Sequence, residues 1–432
     1  MASSSAVNSS LLREQLSALT GSEYVRRPRS AEAIGGILPA WIVTPGSEQE
    51  VASVLHLANE MDLAVIPRGG GSKLAWGNPP RGADLVLSLE RLNRVEEHAW
   101  ADLTVTVQAG CTIESLQQTL ALHKQRLAID PLWPHRATVG GVLSANDTGA
   151  MRLCFGALRD LVIGITLALP DGTLAKSGGK VVKNVAGYDL PKLTTGAGGT
   201  LGVITRAIFR VHPLPAKTQT LSIRAETLNG MQRLILALLG SNVAFSAIQV
   251  RAASASVPVI DVALEGTDAG LPSQVDRIQG LASPALAGPE DGSVWAARER
   301  LWLAESGAAN AGPSDGAVVK ISVIPSAIQN TLAMVERSSA AHRAAWRAVI
   351  QGTGIGWISL EADAAHFPEL LEQLRTEIEG EGGSLVVQRL PFGAQGLDVW
   401  GNPGDALPLM RALKDQFDPK STLNPGRYVG GI

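Results

Sequence analysis

The strongest constraint in the sequence is a run of three consecutive glycines behind a strand-like stretch. Leu63-Ala64-Val65-Ile66 is apolar and leads into Pro67-Arg68-Gly69-Gly70-Gly71-Ser72, with Lys73 behind it. Residues without a Cβ reach positive φ cheaply, so the backbone here can fold into a concave nest of N–H groups. Such a nest suits an anion, and Arg68, Ser72 and Lys73 add charge and donors around it. Alone, the triplet equally describes a flexible turn. Three further small-residue segments follow: Ala137 to Asn146, Arg159-Asp160 to Pro170-Asp171-Gly172, and Gly198 to Thr205. A single phosphate needs one loop. Four loops at wide intervals suit a long anionic dinucleotide that touches the main chain at several points.

At 432 residues the chain is too long for one ordinary core, and two or three domains are expected. A net charge of −3 gives no reason to expect nucleic acid or a strongly anionic membrane surface. The N-terminus, Met1-Ala2-Ser3-Ser4-Ser5, lacks the charged-then-apolar order of a signal peptide, and no window is apolar enough for a transmembrane segment. A cytoplasmic protein is expected, with room for peripheral docking at the inner membrane through partners. Cys111 and Cys154 are the two cysteines, short of the four ligands of a usual iron–sulfur cluster, and no metal site is expected. Gly178-Gly179-Lys180-Val181 lacks the hydroxyl residue of a Walker loop, and neither a Gly-x-Ser-x-Gly elbow nor a His-Glu-x-x-His pair occurs.

Residues 1–10 are Ser-rich and read as disordered, with a short helix from Leu11 to Leu19. Ala40 to Val43 reads as a strand, and Ser47 as a helix cap with Glu50 three residues on. Val51, Val54, Leu55 and Ala58 form the buried face of that helix, which delivers the chain to the strand before the glycine loop. Further strands are expected at 84–88, 104–107, 161–169 and 203–211, and a helix from Thr112 to near His123 with Ile113, Leu116 and Leu120 inward. His212-Pro213-Leu214-Pro215 is a plausible domain boundary. Beyond it, short strands (257–262, 318–323) alternate with helices (275–281, 368–378) around a small-residue loop, Ser306 to Gly316. Two strand–helix–strand passages, 243–324 and 355–390, suggest a smaller α+β domain, and Asp418 to Tyr428 is too turn-rich for a helix.

On these residues the chain from about 34 to 215 resembles the flavin-binding domain of the vanillyl-alcohol oxidase and p-cresol methylhydroxylase superfamily. The resemblance rests on the Pro-Arg-Gly-Gly-Gly loop, Thr138-Val139-Gly140-Gly141, Gly187-Tyr188-Asp189-Leu190 and Gly199-Thr200-Leu201-Gly202-Val203-Ile204-Thr205. Val182 to Asp189 and Leu423-Asn424-Pro425-Gly426-Arg427 are most similar to the E-subunit type of glycolate oxidase. The fold implied is α+β: an N-terminal tail and helix (1–33), an FAD-binding domain of two subdomains (34–215), a smaller α+β cap-like domain (216–411) and a segment returning to the FAD domain (412–432). The resemblance implies FAD with its pyrophosphate on the loop Pro67, Arg68, Gly69, Gly70, Gly71 and Ser72. Asp130, Pro131, Thr138, Gly140, Gly141, Ala145 and Thr148 would line the pyrophosphate and isoalloxazine, with Gly202 and Ile204 near the adenine or ribose end. Ser72 stands where some members carry a tethering histidine, so the FAD is expected to be non-covalent, with His98 and His135 as surface or structural residues.

The resemblance also implies partners: a homologous FAD-linked catalytic subunit and an iron–sulfur subunit, in a complex that oxidises a small 2-hydroxy acid such as glycolate or D-lactate. Oxidation of that kind needs a base, a cation for the carboxylate and a flavin. Catalytic relatives resemble one another in a paired-histidine segment, whereas His212, His342 and His366 stand apart in this sequence. Arg343, Arg347, Arg389 and Lys320 are the candidate carboxylate holders, Arg389 foremost, while Arg343, Arg347 and His342 read as residues of one helix. The catalytic residues therefore stay unassigned. Alternatives are a structural FAD-binding subunit without substrate oxidation of its own, and a standalone FAD-linked oxidase.

Overall fold

The computed structural model describes residues 2–180, 188–282, 287–303, 316–391 and 397–432. They divide into two compact units: Met1–Thr148, Ala157–Leu214 and Asn402–Ile432 form the first, Gly149–Gly156 and Pro215–Gly401 the second. The chain thus re-enters the first unit ten residues before the 412 read from sequence, and 149–156, inside the expected 34–215 domain, belongs to the second unit. Val182 to Gly187 of the glycolate-oxidase-like motif and residues 306–315 of the small-residue loop lie outside the described residues.

The first unit has two main sheets. In one, Trp41–Val43, Leu85–Ser88 and Val65–Arg68 run parallel in that spatial order, with Val25–Arg26 antiparallel at the edge. The helix Glu48–Glu60 connects the first and last of the parallel strands. Its cap is nearly the one the sequence suggests: Ser47 Oγ accepts from Glu50 N at 3.1 Å, but the Glu50 carboxylate accepts from Gly46 N at 2.7 Å, one residue earlier than in a reciprocal capping box. Val51, Val54, Leu55 and Ala58 are completely buried, and each large one contributes about 1.5–3 kcal/mol by leaving water.

The other sheet is antiparallel, in the order Val95–Ala99, Thr104–Gln108, Val203–Arg210, Val162–Ala168, Leu174–Gly178. Its middle strand bulges between Ile204 and Arg206. The extra residue, Thr205, is buried and donates its hydroxyl to Glu48 at 2.8 Å, and Glu48 also pairs with Arg206 at 2.6 Å. One apolar core, including Leu55, Leu87, Val107, Leu143, Phe209 and Leu423, joins both sheets and the returning C-terminal segment. The N-terminal helix runs over Ala2–Thr20, so the disorder expected for residues 1–10 is corrected. No Gly or Pro interrupts Ala2 to Thr20, and Leu12 and Leu16 anchor the helix in the core, so it continues through the serines despite their modest propensity.

The second unit is an eight-stranded sheet in the order Ala287–Glu290, Lys217–Arg224, Val259–Gly266, Phe245–Ala253, Ala345–Gln351, Ile355–Glu361, Ala317–Ser322, Ser384–Arg389, with every pairing antiparallel. Residues such as Ile223, Ile248, Val262 and Ile358 share a core with the helices Leu228–Leu239, Leu271–Ala282, Ile328–Ala341 and Phe367–Gly380. Alternate residues carry the other face, where Ser222 and Gln249 surround the fully buried Asp261 and Arg251 pairs with it at 2.7 Å. His342, Arg343 and Arg347 do not share a helix. The helix ends at Ala341, Arg343 turns the chain at φ 52°, and Arg347 sits in a strand paired on both sides. The alanines around Arg347 suit either structure locally, and sheet pairing decides.

Candidate functional site

The strand Val65–Arg68 ends beside Leu85–Ser88, and Leu89 N donates to Arg68 O at 2.8 Å, which fixes where the glycine loop leaves the sheet. Among the described residues, the N–H groups of Gly69, Gly70, Gly71 and Ser72 meet no acceptor. Gly71 takes φ +71°, the left-handed turn from which anion-binding nests are built. The loop is pressed against a distant part of the chain. A Cβ on Gly69 would lie 2.0 Å from Thr138 Oγ1, and one on Gly70 1.8 Å from the Arg136 carbonyl oxygen. These glycines are required by close approach rather than by flexibility.

The charges around the loop are spent differently from the sequence reading. Arg68 turns to Glu32 at 3.2 Å, and Glu32 also accepts from Arg26 at 2.8 and 2.7 Å and from Arg29 N at 2.9 Å. The Arg26 guanidinium, foremost, holds the Glu32 carboxyl far below the usual carboxylate range. Lys73 is buried and pairs with Asp147 at 3.1 Å, and Asp147 in turn accepts from Leu132 N at 2.9 Å. Both cations thus hold protein carboxylates, while the main-chain amides of the loop stand open to an anion. Glu32 and Asp147 are functional neighbours that sequence reasoning missed; nothing in their local pattern marks them.

Thr138 caps a short helix, Val139–Ala145, accepting from Gly141 N at 3.4 Å. Gly140 is buried against Ala109, whose Cβ would stand 2.9 Å from an added methyl. Pro131 and Thr148 are buried, Asp130 and Ala145 half-buried. The next glycine segment docks on the end of the same helix: Gly196 N donates to Leu143 O and Gly198 N to Ser144 O, both at 2.9 Å. Gly202 packs on Leu167, and Ile204 is buried, so what these two offer a ligand comes from backbone. Residues 69–70, 136–145 and 196–199 therefore form one continuous run of contacts. The segment from Arg159 to Gly172 instead supplies a short helix, the strand Val162–Ala168 and a turn.

Ile34, Gly35, Arg68, Gly69, Gly70 and Thr138 are among the residues lining a cavity of about 710 Å³ beside the loop. His98 bonds Gln125 at 2.8 Å, and His135 is exposed. In the second unit, Arg389 donates to Trp302 O at 2.7 Å and Gly316 O at 3.2 Å, and burial lowers its pKa. Arg347 pairs with Glu361 at 3.0 Å, and Lys320 lies 5.8 Å from the Trp357 ring. His342 and His366, far apart in sequence, come together with ring centroids 6.4 Å apart at the helix layer, where His342 Nδ1 lies 2.9 Å from Ser338 O.

Open amides beside Gly69 and Gly70, which have no room for a side chain, can cradle a diphosphate, and the residues present fit FAD. Fold and cradle together define a flavoprotein. Residues 39–178 match the FAD binding domain family. Over 208 residues the chain is 32% identical to glycolate oxidase subunit GlcD of Bacillus subtilis, covering 48% of this chain but only 44% of that protein. It is 25% identical to D-2-hydroxyglutarate dehydrogenase of Xanthomonas citri pv. viticola over 422 residues, 90% of this chain and 89% of that one. The fold is that of p-cresol methylhydroxylase, with a TM-score of 0.74 at 15% identity over 97% of this chain and 96% of that one. Residues 39–178 carry an FAD binding domain, the fold is that of p-cresol methylhydroxylase, and the cofactor is FAD.

Proposed function

We propose that the chain is the FAD-binding subunit of a 2-hydroxy-acid dehydrogenase and passes electrons to a partner iron–sulfur subunit. The observation that carries this reading is the likeness to D-2-hydroxyglutarate dehydrogenase along 90% of the chain, which extends beyond the FAD domain into the second unit. The FAD supplies the hydride acceptor. The amides of Gly69 to Ser72 neutralise its diphosphate, while the main chain at Thr138 to Thr148 and around Gly202 and Ile204 keeps the elongated molecule in place. Pro67, Asp130 and Pro131 shape the approach. The two cysteines fall short of four thiolate ligands, so the reading assigns the iron–sulfur centre to another subunit. Among the described residues no helix is long and apolar enough to cross a membrane.

A second reading, a structural FAD-binding subunit beside a homologous catalytic one, is favoured by the engagement of Arg389 with main-chain carbonyls and of His342 with its own helix. One experiment separates them. Glycolate, D-lactate and D-2-hydroxyglutarate are added anaerobically to the purified FAD-loaded chain. Bleaching of the flavin band supports substrate oxidation by this chain; an unchanged spectrum, with bleaching only after partners are co-purified, supports the structural role. Protein carrying no flavin would overturn both.

A further inference from the structure

The segment returning at Asn402 grips both glycine loops of the first unit. Asp418, fully buried, accepts from Thr422 N at 2.9 Å and Leu423 N at 2.8 Å and pairs with Lys414 at 2.6 Å. Lys414 uses its other two protons on Thr200 O at 2.9 Å and Leu423 O at 3.0 Å. Asn424 Nδ2 donates to Gly198 O at 2.8 Å, and the Tyr428 hydroxyl donates to Gly196 O at 2.8 Å. Three side chains of one segment thus hold alternate carbonyls of the second loop, those of residues 196, 198 and 200.

The same residues reach the first loop from both sides. Val65 N donates to Thr422 O at 2.7 Å and Asn424 N to Val65 O at 3.0 Å, just before Pro67. Arg427 donates to Leu74 O and, at 2.9 Å, to Trp76 O, just after Lys73. Asn424 holds φ 47°, a left-handed conformation that lets its backbone face Val65 while its side chain faces Gly198.

We propose that residues 414–428 act as a clasp that fixes the separation of the Gly69–Ser72 amides from the 196–202 loop, and that Asn424 is a positioning residue for FAD. The proposal rests on the reading of both loops as FAD contacts. A ligand spanning both loops then depends on the clasp, whereas a ligand held by the nest alone does not. Apoprotein of the full chain is titrated with FAD by fluorescence, and inorganic pyrophosphate is measured by its competition with FAD. Asn424→Ala is expected to raise the FAD Kd about tenfold and leave pyrophosphate within about twofold, with Tyr428→Phe, which deletes one hydroxyl, shifting FAD in the same direction by less. FAD binding unchanged in both variants overturns the clasp, as does equal weakening of FAD and pyrophosphate, the mark of a merely structural role. An unaltered chain that binds no FAD overturns the underlying reading instead.

Discussion

The two glycine loops of the first unit look alike in sequence and are held by opposite means. Gly69 to Ser72 keeps its amides open and is fixed by contact: Thr138 and Arg136 occupy the space where side chains would be. The 196–200 loop is fixed by donors, from Tyr428, Asn424 and Lys414 onto its carbonyls and from its own amides onto Leu143 and Ser144. The first loop is therefore sensitive to added atoms, whereas the second, whose Gly196, Gly198 and Gly199 also hold positive φ, is sensitive to deleted donors as well.

Gly70→Ala tests that contrast most severely. The new methyl must displace the Arg136 carbonyl, and the FAD Kd should rise by about 100-fold or more, read by titration of apoprotein. A Gly70→Ala chain that binds FAD normally would break the comparison. Next comes Lys414→Met, which strands the Asp418 charge in the interior. It should cost about 3–5 kcal/mol in denaturant unfolding of the first unit, far more than loss of a surface pair.

A smaller effect is expected on acidification. Folding depresses the Glu32 pKa, so the unfolded chain takes up its proton first as pH falls. The stabilisation from the Arg26–Glu32–Arg68 group is complete above the ordinary carboxylate value of 4.5 and drains below it. Glu32→Gln should flatten that limb of a plot of melting temperature against pH. The smallest effect belongs to Ser72→Ala. Its hydroxyl meets Lys73 at only 3.4 Å, and if the backbone amide is the donor, FAD affinity should stay within about threefold. A large loss there would transfer the anion contact from main chain to side chain.

Features set by neighbours in sequence were legible in advance: the Ser47 cap, the buried stripe Val51–Ala58 and the exit of the glycine loop from its strand. The fold class was legible too, through the resemblance carried by the glycine-rich segments. What escaped depends on partners far along the chain. Lys73 reads as a free cation until the fold brings Asp147 to it, and Arg68 until Glu32 arrives. Ala345–Gln351 becomes a strand only between two others. Asn424 was flagged by resemblance alone, and its bond to Gly198 spans 226 residues that no local pattern encodes.

That separation also sets a schedule. The strand carrying Arg68 is synthesised early, yet the backbone partner of Val65 arrives with Thr422 and Asn424, after the whole second unit has been made. Until then the strand leaves the ribosome with a bare margin of unpaired amide and carbonyl, the kind of border that recruits foreign strands. The proposed clasp is thereby completed only once residues 414–428 have been made. A chain cut short before residue 414 would expose a sticky rim instead of a finished holder, and would be a natural object for chaperones and proteases.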